Sequence, residues 1–268
     1  MLRLLVSLVS VFAVVAHAQR PVPFELSVSP SRQMFAAAPG ESVSRSLTLN
    51  NLGREKNEFN ARTLDWTMTD SADVRYSDVL AVGSCRPWVS IERKRVVVEA
   101  GQQRVYRFQI DVPKDTPRRE CRFMLAFEGT APAATPTTKS AAGELRSSVV
   151  ARIAVPVYIS IGNAAPVLEM LGTTMVEING TRTPALRIAN RGDAHGRLDG
   201  AIDAVDANGQ EFILAPEESP ILPGQTRAIP LLPKVDRGPK VGAVKLPIRA
   251  TGSIEWEGGS LKVDARFE

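Results

Sequence analysis

The stretch "SSVVARIAVPVYISIG", residues 147–162, decides how this chain is read. Taken every second residue it gives Val149, Ala151, Ile153, Val155, Val157, Ile159 and Ile161, an unbroken apolar row. Apolar spacing of period two marks a strand with one buried face. Pro156 sits in the middle, and proline belongs on a sheet edge or at a bulge because it has no N–H to give a ladder. The alternate residues, among them Val150, Arg152, Ala154, Tyr158 and Ser160, form a mixed face. The stretch reads as a long apolar edge strand, a feature that invites pairing with another chain. Either the odd-numbered face packs into its own domain, or it is kept outward for a partner.

The same alternation runs through the rest of the sequence, and helical period is scarce. "RVYRFQIDV" places Tyr106, Phe108, Ile110 and Val112 on one face, and "SLKVDARF" does the same with Leu261, Val263, Ala265 and Phe267. Turn signals at Pro39-Gly40, Asn179-Gly180, Asn208-Gly209 and Pro223-Gly224 separate such runs,. Many short strands between regular turns predict an all-β sandwich. The halves also echo each other. "SLTLNNLGREKNEFNA" resembles "ALRIANRGDAHGRLDGA" through Asn51–Gly53 and Asn190–Gly192, and Gly101-Gln102-x-Arg104 matches Gly224-Gln225-x-Arg227. Two sandwich domains in tandem, 19–162 and 163–268, are expected, both of ordinary domain size,. Residues 129–147, rich in Ala, Thr and Pro, read as a long mobile loop leading into the odd strand,.

The first eighteen residues, with Arg3, an apolar run from Leu4 to Val15 and Ala16-His17-Ala18, predict a signal peptide cleaved after Ala18,. Export makes one disulfide the simplest state of the two cysteines, Cys85 and Cys121,. Such a bridge stabilises by roughly 3–4 kcal/mol in the chain-entropy view. The formal charge of +4 is spread without basic runs or interleaved aromatics, which argues against nucleic acid,. Only His17 and His195 exist, and the first leaves with the leader. One histidine and two bridged cysteines do not make a usual zinc or haem site. No nucleophile elbow and no phosphate-cradling glycine loop is present, so neither catalysis nor a cofactor is expected. Arg191-Gly192-Asp193 spells an adhesion tripeptide, but it sits where a hairpin turn is expected,.

Several strings resemble the periplasmic pilus-assembly chaperones of the bacterial chaperone–usher pathway, above all their archaic (sigma-type) branch. They are "LSVSPSR" near the mature start, "WVSIERKRVVVEAGQQRVYRFQIDVP", "RRECRFMLAFEG" and "ARIAVPVYISIG". The resemblance implies two immunoglobulin-like β-sandwich domains and a periplasmic chaperone. Such a chaperone binds pilus or fimbrial subunits by donor-strand complementation and delivers them to an outer-membrane usher, with no cofactor and no small-molecule substrate. It makes 147–161 the donor strand, with Val149, Ala151, Ile153 and Val155 as the subunit-binding positions. Burying four such side chains is worth on the order of 6–10 kcal/mol gross. The free edge would also be open to self-association. The resemblance further implies a basic anchor for the subunit's C-terminal carboxylate, here Arg32 with Arg152, because Ala154 stands where relatives carry lysine. It makes Arg107 and Glu120 a structural ion pair. The competing reading is a secreted structural or adhesive protein, a fimbrial subunit or adhesin built from similar domains.

Overall fold

A computed structural model describes residues 25–130, 150–234 and 244–268, with the backbone of 137–140 and 143–146. The leader expected at 1–18 lies outside the described residues. The first half of the chain forms β1 (Leu26–Ser29), β2 (Gln33–Ala37), β3 (Ser42–Asn51), β4 (Asn57–Met68), β5 (Val74–Ser77) and β6 (Val89–Ile91). It continues with β7 (Arg95–Val98), β8 (Gln103–Asp111), β9 (Arg119–Gly129), β10 (Thr137–Ser140), β11 (Gly143–Arg146) and β12 (Arg152–Ile161). One sheet has the order β1-β3-β8-β6 and the facing sheet β2-β12-β9-β4-β5, with β7 also on β4. The opening strand is split: β1 pairs antiparallel with β3, whereas β2 pairs parallel with β12. Lettered in chain order, this is A-B-E-D against A′-G-F-C-C′, the arrangement of a variable-type immunoglobulin domain.

The alternating residues meet between these sheets as their spacing requires. Leu47 and Leu49 of β3, Tyr106 and Ile110 of β8, Phe123 and Phe127 of β9, and Val157 and Ile159 of β12 are all buried in one cluster. The rings of Tyr106 and Phe127 meet edge to face at 5.1 Å, a favoured aromatic geometry,. The disulfide Cys85–Cys121 lies in the same cluster and ties the loop after β5 to β9. Within 129–147, where a loop was expected, the backbone of β10 and β11 forms an antiparallel hairpin. The β-branched Thr137 and Thr138 favour that extended state.

The second half forms β13 (Leu168–Ile178), β14 (Thr181–Asn190), β15 (Asp199–Gly200), β16 (Ile202–Val205), β17 (Glu211–Pro216), β18 (Thr226–Pro233), β19 (Ile248–Trp256) and β20 (Gly259–Phe267). The order is β13-β14-β18-β17-β16-β19, with β20 on β19. Strand β18 turns the corner between two layers. Its Thr226–Pro230 segment pairs with β14, and Leu231–Pro233 pairs with β17. Leu186, Ile188, Leu214, Ile229 and Ile254 fill the space between the layers.

The internal repeat has a hydrogen-bonded counterpart. Gly53 N donates to Asn51 Oδ1 at 3.0 Å, and Gly192 N to Asn190 Oδ1 at 2.9 Å. Asn51 N donates to the Gln102 carbonyl at 3.0 Å, and Asn190 N to the Gln225 carbonyl at 2.9 Å. Each buried asparagine also gives its amide to core carbonyls, Val98 in one domain and Ile221 in the other. A buried side chain with both ends satisfied fixes a turn that the backbone alone would leave unpaired.

Candidate functional site

Strand β12 lies between β9 and β2, but the two neighbours cover different lengths of it. All of Arg152–Ile161 pairs with β9, whereas β2 reaches only Val157–Ile161. On the β2 side, Arg152–Pro156 has no partner strand among the described residues. The Ala151 carbonyl accepts from Gly129 N at 3.1 Å, so odd-numbered residues direct their backbone groups toward β9. By alternation, the N–H groups of Arg152 and Ala154 and the carbonyls of Arg152, Ala154 and Pro156 face the open side. Pro156 therefore removes a donor from the exposed edge and costs the β9 ladder nothing.

The side chains divide as sharply as the backbone. Val155 is 1% exposed and belongs to the domain's own core with Val157, Ile159 and Ile161. The expectation that Val155 is a donor position is corrected: the facing sheet already covers it. Ile153, one step nearer the end of the strand, is half-buried and packs against the rim of that core. Ala151 is half-buried just before β12, and Val149 lies outside the described residues.

The even-numbered face of β12 looks away from this core. Arg152 there is paired with Glu128, whose other guanidinium partner is Arg62 at 2.7 Å; Arg62 in turn holds Asp78. Burial opposes the charge on Glu128, but the two guanidiniums outweigh it and hold the carboxyl below its usual range,. Arg152 and Arg32 do not form one site. The register sets Gln33 beside Val157, so Arg32 is level with Pro156, about 13 Å along the strand from Arg152,. Arg32 instead stands 4.0 Å from Glu218 of the second domain. Beside it is Arg197, whose guanidinium donates to the Glu218 carbonyl and reaches Tyr158 Oη at 3.4 Å, while its buried Nε has no acceptor. Burial pushes the Arg197 guanidinium below its usual value, and the charge of Arg32 adds to that. The two guanidiniums share this corner of the domain junction with the Glu218 carboxylate. Arg197 carried no signal in the sequence, where it sits in an apparent polar turn.

Next to this corner the two domains are in direct contact. Glu120 and His195 are 3% and 4% exposed, and one carboxylate oxygen receives both His195 N and the ring Nδ1. The His195 ring stacks on Tyr158 at 3.8 Å, and Glu120 N donates to the Asp193 carbonyl. Asp193 is gripped by Arg118, whose guanidinium holds that carboxyl below its usual range, and it also accepts from Ala165 N. Asp193 of the adhesion-like tripeptide is thus engaged by the protein's own groups. From the other side, Gln225 donates to the Met68 carbonyl, and the buried Arg227 to the carbonyls of Asp70 and Pro220. The expected Arg107–Glu120 pair is not formed. Arg107 is exposed on β8 in one sheet, and Glu120 lies on β9 in the other with its side chain in the domain junction.

No family model matches the chain, and no curated protein matches it. Among solved structures it is similar to the E. coli chaperone DraB at 12% identity, covering 90% of this chain and 99% of that one, with a TM-score of 0.45. It is also similar to the Pseudomonas aeruginosa CupB2 chaperone at 12% identity, covering 90% and 100%, with a TM-score of 0.44. A third likeness is to the CsuC–CsuE chaperone–tip adhesion subunit pre-assembly complex of the archaic chaperone–usher Csu pili of Acinetobacter baumannii. There the identity is 14%, the coverage 90% and 97%, and the TM-score 0.44.

Proposed function

We propose that this chain is a periplasmic chaperone that holds pilus or fimbrial subunits by strand donation and passes them to an outer-membrane usher. One observation carries the reading: β12 continues beyond its partner β2 as an open edge at Arg152–Pro156, with Ile153 at the rim of the core. An exposed apolar edge is a liability unless its partner is equally unsatisfied, and a sandwich lacking one strand is such a partner. Val149, Ala151 and Ile153 are the donor positions in this reading. A client strand laid along the open edge is collinear with β2 and ends against Arg32 and Arg197, which supports these two as the carboxylate anchor. The edge also leaves self-association open to the free protein. The test is co-purification of the tagged protein from its native periplasm, wild type beside Ile153→Asp. A small subunit held one to one by the wild type and lost in the variant is expected. No stoichiometric partner of the well-folded wild type would overturn the proposal.

A further inference from the structure

The sheet that carries β12 ends at its other edge in β5, whose outer side pairs with no described strand. Five exposed large apolar side chains gather here within nine residues: Val74 and Tyr76 on β5, and Val79, Leu80 and Val82 on the loop that follows. Val79 is 78% exposed, Leu80 55%, and Val82 fully exposed. Clustering of this kind, unlike scattered single residues, marks a contact surface.

Beneath the loop is a pocket of about 430 Å³. Trp66 lines it together with Arg75, Arg119 and Arg122. The acidic residues around it are largely engaged. Asp65 is bound to Arg86, Ser84 and Ala81 N, and Asp78 to Arg62. One oxygen of Glu120 is taken by His195, and Arg122 stands 3.7 Å from the other. Arg119 donates to the carbonyls of Gly83 and Glu120, and Arg75 has no ion pair among the described residues. Three guanidiniums thus face one incompletely engaged carboxylate. The indole Nε1–H of Trp66 is buried without an acceptor.

We propose that β5, the loop 78–82 and this pocket form a docking surface for an extended segment of another protein in which acidic residues alternate with large apolar ones. Such a segment adds to the open edge of β5, covers Val79, Leu80 and Val82 with its apolar side chains, and sets a carboxylate among the arginines. The surface lies at the opposite edge of the sheet from β12, with the Arg152 guanidinium of β12 reaching to 5.6 Å over the Tyr76 ring.

The test uses the full chain and two fluorescein-labelled ten-residue peptides, one alternating aspartate with leucine and one alternating lysine with leucine, followed by fluorescence anisotropy. Saturable binding of the aspartate peptide is expected, at least tenfold tighter than that of the lysine peptide. Binding should weaken at least tenfold in Leu80→Asp/Val82→Asp, an exposed double change expected to leave the melting temperature unaltered, and several-fold in Arg75→Ala. Amide-exchange protection should fall on 74–82. Absence of saturable binding, equal binding of both peptides, retained binding in the double variant, or protection at 152–156 instead would each overturn the proposal. So would sedimentation showing a wild-type dimer that the double variant disperses, since the occupant would then be a second copy of this chain.

Discussion

Placing aspartate at 153 or at 155 separates donation from packing, because the two positions share one face of β12 and differ only in depth. Val155 is 1% exposed, so Val155→Asp forfeits about 1.5–3 kcal/mol of burial and places a carboxylate without a partner in the core,. The second effect costs several kcal/mol more. The sum, on the order of 5 kcal/mol or above, approaches the whole stability of an ordinary domain. Ile153 is half-buried at the rim, so Ile153→Asp forfeits roughly half of a full burial, about 1 kcal/mol, and its carboxylate can turn to water,. At about 2–4 °C per kcal/mol for a chain of this size, the melting temperature should fall by roughly 2–4 °C in Ile153→Asp. It should fall by more than about 10 °C, or the cooperative melt should vanish, in Val155→Asp. Thermal melts followed by circular dichroism, beside capture of a subunit from periplasmic extract, read both effects. Two results refute the reasoning: an Ile153→Asp melt as low as that of Val155→Asp, or a folded Ile153→Asp that captures subunit as the wild type does.

Three further outcomes follow from the packing. Asn51→Ala removes the amide that serves the Val98, Glu99 and Glu55 carbonyls, and should cost about 2–4 kcal/mol by chemical denaturation because buried acceptors are left unpaired,. Gly192→Ala would set a methyl 2.3 Å from the Ala165 carbonyl oxygen and 2.5 Å from Val167 N. The backbone must move, so a loss of about 2–3 kcal/mol in the denaturation of the second domain is expected. Burial pushes Tyr106 up to about 12, and its hydroxyl donates to the Arg93 carbonyl. A phenol whose proton is held more tightly in the folded state contributes stability that is complete below its unfolded value near 10 and is lost as pH rises toward 12. The loss is on the order of 3 kcal/mol. Tyr106→Phe should abolish that alkaline decline in urea midpoints measured between pH 9 and 12, at a neutral-pH cost of about 1 kcal/mol for the orphaned carbonyl.

Much of the architecture was legible because it rests on local rules. Period two in 105–112 and 261–267 specified strands, and the Asn-x-Gly and Gly-Gln-x-Arg strings specified one turn used twice. Two cysteines in a chain expected to be exported left one simple pairing, Cys85 with Cys121. The site was legible only in part. The odd row of 149–161 was visible, yet its apolarity is the same at Val155, inside the core, as at Ile153 on the rim. Arg107 and Glu120 matched charged positions by resemblance alone, and they lie in different sheets.

What the sequence by itself determined was the all-β class, the repeat and an apolar strand with a proline on its edge. These follow from side-chain alternation and turn chemistry, which act over a few residues. Tertiary structure alone decided where that edge is open, since this depends on β2 starting at Gln33, level with Val157. It alone brought Arg197 to Arg32 and His195 to Glu120, residues far apart in the chain that meet at the domain junction. Charge and burial there arise from how two domains lie against each other. No periodicity along a single strand encodes that arrangement.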